Sequence, residues 1–197
     1  AVPTSRLLAS SAPAAAAELA AIDYASMAIV TFAFSPSAFA KPLEGSGFLV
    51  PAVEHRLIKA VTFSSLQWGW YPGGLVLLRC SVGRHRDVAD LQRSDDELIA
   101  GALRDLAAST GVRGTPVDAV VTRWGGALPQ YAVGHLDRVA RIKAAVAEAS
   151  GAALGGAALG GLAVCGAAYD GVGIPACIGG GRAAATQILK GLFGEGE

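Results

Sequence analysis

The chain has 197 residues, enough for one domain or one and a piece, and its 52% apolar content is ample for a core. Sixteen basic and sixteen acidic residues balance, which leaves no electrostatic footprint for nucleic acid. Three separated cysteines with no CxxC pair argue against a disulfide framework or a metal site, and no uninterrupted apolar run reaches the length of a membrane span.

Ala1-Val2-Pro3-Thr4 reads as the end of a strand entering a turn. With no initiating Met, the natural protein is expected to begin upstream. Pro13 sits where a helix start tolerates its missing N–H, and Ala14 to Ile22 is a short helix. Ala25 to Phe34 is rich in β-formers and is a strand, ended by Pro36. Ser46 to Val50, Leu57 to Ser65 and Leu75 to Val82 are three further strands separated by turn-length gaps, a pattern that predicts an antiparallel sheet. Ser94 and Glu97 make a capping box, and the helix it opens runs to about Thr110, where Gly111 stops it.

Asp118 to Trp124 is the next strand, after which Gly125, Gly126 and Pro129 predict an irregular loop. Leu136 to Ala149 reads as an amphipathic helix with Leu136, Val139, Ala140 and Val146 on one side. Asp137 and Arg141 are spaced on it for a surface ion pair worth about 0.3 kcal/mol. Residues 151–161, GAALGGAALGG, duplicate a five-residue unit and read as a flexible surface insertion. Leu162 to Cys165 is a short buried strand and Ile174 to Phe193 the final helix, in which Gly179-Gly180-Gly181 permits either close packing or a break. Cys80, Cys165 and Cys177 are read as small buried hydrophobes in a reducing cytoplasm.

Strand, glycine-rich turn and helix over Cys165 to Ile178 aim backbone N–H groups and a positive helix dipole at one point. The order Gly171-Val172-Gly173-Ile174-Pro175-Ala176 has the G-x-G-x-x-G/A spacing of a dinucleotide fingerprint. That fingerprint needs a second strand with an acidic residue about 20 positions on. None follows within this sequence, so the turn is expected to serve something other than the adenine-ribose half of a nucleotide fold. A ligand site and a turn needed only for packing both stay open.

Arg123-Trp124-Gly125-Gly126-Ala127-Leu128-Pro129-Gln130-Tyr131 could wall an aromatic ligand, although composition favours Trp124 and Tyr131 as core aromatics. Arg79, Arg84 and Arg86 form a small basic group able to meet the carboxylates of an acidic ligand, against a reading as exposed loop arginines. His55, His85 and His135 are isolated and suit surface or capping roles. Glu54, Asp87, Asp90, Asp95 and Asp96 read as a solvated face, and no residue is assigned as a catalytic acid or base.

Gly45-Ser46-Gly47-Phe48-Leu49-Val50-Pro51, Thr62-Phe63-Ser64-Ser65, Arg123-Trp124, Leu128-Pro129-Gln130-Tyr131, Gly134-His135 and Gly166 to Ile178 occur in this order. Together they resemble the C-terminal part of the oxygen-dependent protoporphyrinogen/coproporphyrinogen oxidase family, FAD enzymes of haem biosynthesis. The resemblance covers nearly the whole chain. It implies an α+β fold of flavin amine oxidase type: an antiparallel or mixed substrate-domain sheet with helices, plus the C-terminal strand-turn-helix of an FAD domain. The implied divisions are an opening segment at 1–24, a substrate-domain portion at 25–134, a helix and insertion at 135–161, and an FAD-domain portion at 162–197.

The same resemblance implies that Gly171, Val172, Gly173 and Ile174 approach the flavin and that Trp124 lies near its reactive end. Arg79 and Arg84 are the candidates for substrate carboxylates. Five departures stand out: no N-terminal glycine-rich fingerprint and no helical domain in this sequence, Gln67 where a Lys is usual before the Trp, the Gly/Ala insertion in place of a short Pro-Gly connection, and a Gly179-Gly180-Gly181 run richer in glycine than expected. The expected reaction is oxidation of a porphyrinogen to the porphyrin by oxygen. The resemblance implies coproporphyrinogen before protoporphyrinogen: the Ala-, Gly- and Arg-rich composition suggests a high-GC bacterium, and family members from such bacteria often act at the earlier intermediate. The partners expected are the substrate, oxygen and an N-terminal FAD-binding half; a homodimer and a peripheral membrane contact are compatible with the resemblance. The alternatives are a non-catalytic remnant serving as an interaction module, and a flavoenzyme of the same fold acting on another substrate.

Overall fold

The computed structural model describes residues 1–68, 74–152 and 161–193, and the chain divides into two compact units. One unit is continuous, Ala25–Ala127; the other joins Ala1–Tyr24 to the segment from Leu128 onward. Together the described residues carry five strands and six α-helices, with the antiparallel sheet expected from the strand spacing and the α+β class implied by the resemblance.

The sheet of the 25–127 unit is built from β1 (Tyr24–Phe34), β2 (Gly47–Leu49), β3 (Ile58–Phe63), β4 (Val76–Val82) and β5 (Asp118–Pro129), in the order β2-β3-β4-β1-β5. β2 to β3, β3 to β4 and β4 to β1 all pair antiparallel. Val117 N–H donates to Ala33 O at 2.7 Å and Gln130 N–H to Asp23 O at 2.9 Å, so the start of β5 meets the end of β1 and that pair is antiparallel as well. Alternation puts Val30, Phe32 and Phe34 of β1 on one face with Val61 and Phe63 of β3 and with Leu78, Cys80 and Val82 of β4.

Helix α4 (Asp95–Thr110) covers this face with Leu98, Ala102 and Leu106, all fully buried. Its capping box is present as read: Ser94 Oγ accepts from Glu97 N–H and Glu97 reaches back to Ser94 N–H at 2.8 Å, while Gly111 closes the helix at φ 69°. Asp105 on α4 accepts from the Ile58 amide at 3.2 Å and pairs with Arg56, which ties the helix to the entry of β3. Cys80 is inside this core, where burial pushes its thiol up to about 12. Gly47 is obligatory: at φ 143° a Cβ there would overlap the Val61 carbonyl. The short helix α3 (Ser64–Gln67) follows β3, and the Ser65 hydroxyl accepts from Leu77 N–H at 3.1 Å.

The other unit is helical, with α1 (Val2–Leu8), α2 (Pro13–Ala20), α5 (His135–Ala152) and α6 (Ile174–Phe193). Leu8, Ala12, Ala15, Ala16, Leu19 and Ile22 pack against Val139, Ile142 and Val146. Glu18 on α2 accepts from Nε and Nη2 of Arg141 at 2.6 and 3.1 Å and from Nε of Arg138 at 3.2 Å; these arginines, Arg141 first, hold its carboxyl below the usual range. Arg138 also donates to Ala21 O at 3.0 Å, satisfying a carbonyl at the end of α2.

Several expectations change here. The first residues form α1, because Pro3 serves as a helix-opening proline. The pair Gly125-Gly126 does not end β5, which runs on to Pro129 as an edge strand beside β1. On α5 the inward stripe is His135, Val139, Ile142 and Val146, while Leu136 and Ala140 are exposed. Arg141 pairs with Glu18 because the carboxylate of α2 lies within bidentate reach. The segment Leu162–Cys165 is not a strand and Cys165 is exposed; no neighbouring strand among the described residues offers it a ladder. Gly179 to Gly181 lie in unbroken helix, and most of the 151–161 repeat lies outside the described residues. No described helix is long and apolar enough to cross a membrane.

Candidate functional site

The glycine turn is fixed from the core outward. Tyr169, 5% exposed, sits in the cluster of α2 and α5, and the two residues before it are held by their carbonyls. The Tyr131 hydroxyl donates to Ala167 O, and His135 Nε2 lies 3.0 Å from Ala168 O. A carbonyl only accepts, so Nε2 carries the proton of this imidazole. The Tyr131 and His135 rings stack with centroids 4.1 Å apart and planes at 13°. Lys143, two turns further along α5, reaches Asp170 at 2.8 Å. Thus α5 and the residue four before it grip three points of the turn in succession.

Beyond Asp170 the backbone swings into α6. Gly171 has φ 131°, and a Cβ on it would stand 3.0 Å from Ala176 Cβ. Cys177 N–H donates to Gly173 O at 3.0 Å, closing the first turn of α6. Val172 and Ile174 are 51% and 76% exposed, so two apolar side chains flank a bare glycine backbone at a helix N-terminus. Such a surface suits a flat, partly apolar ligand with electron-rich acceptors, which takes backbone N–H groups and is favoured by the helix dipole.

The structure brings Gly171, Val172, Gly173 and Ile174 together in the helical unit and places Trp124, Arg79 and Arg84 in the sheet unit. Trp124 is on β5 and exposed. Its neighbour Arg123 donates to Leu91 O and Arg93 O and pairs with Asp95 at 2.5 Å, so alternation turns Trp124 to the side away from α4. Arg79 is exposed on β4, paired in register with Thr31 and Thr62. Arg84 is half-buried, and its Nη2 donates to Val50 O at 3.3 Å.

Trp124 and Tyr131 are exposed rather than core aromatics, and His135 is buried rather than a surface or cap residue. Among the acidic residues read as a solvated face, Asp90 and Asp95 pair with Arg93 and Arg123. The signal for His135 lay in its spacing: 135, 139, 142 and 146 follow the i, i+4, i+7, i+11 rule of a buried helix stripe.

The family model for flavin containing amine oxidoreductases matches residues 2–189. The chain belongs to this family. Among curated relatives, a coproporphyrinogen III oxidase from Mycobacterium leprae is 41% identical over 190 residues, covering 96% of this chain and 38% of the relative. Another, from Mycobacterium tuberculosis H37Rv, is 40% identical over 187 residues, with coverages of 95% and 38%. A crystal structure from Exiguobacterium sp. 255-15, named as a protoporphyrinogen oxidase, superposes with a TM-score of 0.77 at 28% identity, over 94% of this chain and 40% of that one. The chain therefore spans about 38% of the length of these curated relatives.

A flavin is the cofactor of the flavin containing amine oxidoreductases, and the turn fits one. Its backbone is bare where a Cβ would crowd Ala176, and its flanking side chains are apolar and exposed. Tyr169 completes the support with a peculiarity: its buried hydroxyl has no hydrogen-bond partner among the described residues, and burial pushes its pKa up to about 12. Tyr169→Phe is expected to leave the fold intact and raise its stability by about 1 kcal/mol, because it removes a desolvated hydroxyl that makes no bond. A raised tyrosine favours its neutral form, so its contribution holds below pH 10 and is lost as pH rises toward 12. The Phe variant should lose less stability over that window. Urea titrations at pH 7 and pH 11 measure both effects, and a variant less stable than the parent by 1 kcal/mol or more would contradict the assignment.

Proposed function

We propose that this chain supplies part of an FAD-dependent oxidase that converts coproporphyrinogen III to coproporphyrin III, with oxygen as electron acceptor. The observation that carries this reading is 40% identity to coproporphyrinogen III oxidases along nearly the whole chain, including the glycine turn that the packing singles out. When bound, the flavin supplies the redox chemistry of a six-electron dehydrogenation. In this proposal Gly171, Val172, Gly173 and Ile174 take the flavin on exposed backbone and apolar side chains. Trp124 contributes an aromatic face near the reactive end. Arg79 and Arg84 are the cations available to substrate carboxylates. The protein's part is to orient a flexible macrocycle and exclude water, which lowers the entropic share of the barrier. Tyr131, His135 and Lys143 act on the turn and not on the substrate.

The test is a turnover assay on the full-length protein. Freshly reduced coproporphyrinogen III is incubated in air and porphyrin fluorescence is followed, while the cofactor released by heat is identified by chromatography. Porphyrin formation by a protein carrying FAD is the expected result. Turnover of protoporphyrinogen IX alone would move the substrate assignment one intermediate along. A flavin-free protein inactive on both would overturn the oxidase reading in favour of a binding module.

A further inference from the structure

The sheet of the 25–127 unit has two faces of opposite character. One is filled by the core beneath α4. On the other, Thr31, Arg79 and Thr62 stand in one row across β1, β4 and β3, each a register partner of the next. At the usual strand spacing the row spans roughly 10 Å. Arg79 is exposed and the two threonines are half-buried. Leu77 and Ala33 form the adjoining pair on one side.

Charge makes the row informative. Arg56, Arg93 and Arg123 of this unit each pair with an aspartate. The Arg79 side chain has no hydrogen bond or ion pair among the described residues, and β1 to β4 contain no acidic residue at all. A guanidinium in the middle of a sheet face, between two hydroxyls and without a counter-ion on its own strands, is suited to a carboxylate from outside the sheet. It offers a planar fork to both oxygens, and each threonine adds a donor beside it.

We propose that Thr31, Arg79 and Thr62 form the site that binds a propionate side chain of the porphyrinogen. This rests on the porphyrinogen reading above and deepens it: a carboxylate on this row sets where the macrocycle sits on the sheet. It also separates two arginines that composition treats alike, since Arg84 is engaged with the Val50 carbonyl.

The experiment uses the full-length protein and the variants R79Q, R79K and T31V/T62V. With coproporphyrinogen III, R79Q is expected to raise KM roughly 10- to 100-fold, with the loss falling on KM more than on kcat; R79K and T31V/T62V should show smaller rises. Fluorescence titration with coproporphyrin III itself should show the same weakening without any turnover. Coproporphyrin III tetramethyl ester, which has no carboxylate, should bind parent and R79Q alike. An unchanged KM and an unchanged coproporphyrin affinity in R79Q would overturn the site even if the parent turns over normally. So would a fall in melting temperature with affinity preserved, which would show that a carboxylate of the protein meets Arg79. An inactive parent that binds coproporphyrin III through Arg79 would sink the oxidase reading and leave the carboxylate site standing.

Discussion

Gly171→Val is expected to strip the full-length protein of flavin while leaving its helices in place. The backbone at this position has φ 131°, a region that costs a side-chain-bearing residue about 1–3 kcal/mol. Relaxing it is blocked on one side, because the new Cβ would lie 3.0 Å from Ala176 Cβ in the first turn of α6. The chain can respond by shifting the helix start, which moves the amides of the turn away from the flavin they are proposed to hold. A displacement worth about 1.4–2.8 kcal/mol of binding is a 10- to 100-fold loss of flavin affinity. Flavin retained through gel filtration, measured by absorbance, checks it against unchanged far-ultraviolet circular dichroism. Val172→Ala, which trims an exposed side chain without touching the backbone, should lose far less. Full flavin occupancy in the Gly171 variant would remove the turn from the cofactor site.

Phe32→Ala should cost the most stability of any single change considered, about 3–5 kcal/mol. Phe32 is fully buried on β1, opposite Leu78, with the Phe34 ring 5.8 Å away. Both neighbours belong to strands held by ladders on either side, so the sheet has little freedom to collapse into the space left behind. Chemical denaturation of the full-length protein measures the effect. Phe48→Ala offers the comparison: that ring is only partly buried on the short strand β2 and should cost well under half as much. A loss below about 2 kcal/mol for Phe32 would mean that the core repacks more freely than its strands suggest.

What the sequence disclosed follows the range of the forces involved. Helix α4 was legible to its ends because Ser94, Glu97 and Gly111 act within one turn of the backbone they cap. The strands β1 and β4 were legible because alternation with β-branched and aromatic residues is also local. The failures are places where a distant partner decided. Gly125 and Gly126 read as a loop, yet pairing with β1 carries the strand through them; Gly126 N–H reaches the Ser26 hydroxyl, 100 residues earlier, at 3.0 Å. Leu162 to Cys165 read as a strand on composition, but a strand needs a neighbour and the described residues supply none.

The candidate site divides in the same way. The glycines, Val172 and Ile174 were visible because a tight turn before a helix has a spacing. Tyr131 and His135 were not recognised as its supports, since nothing near them in sequence names the carbonyls of Ala167 and Ala168 more than thirty residues away. Arg79 and Arg84 were indistinguishable as letters. Strand register and one carbonyl separate them.

Helix α5 holds the turn through His135 and Lys143, while Leu136 and Ala140 of the same helix are exposed. A reporter group hung at either exposed position is therefore joined to the turn through one continuous rod and two side-chain struts, His135 and Lys143. A spin label there would ride with the backbone of the turn and register its tilt.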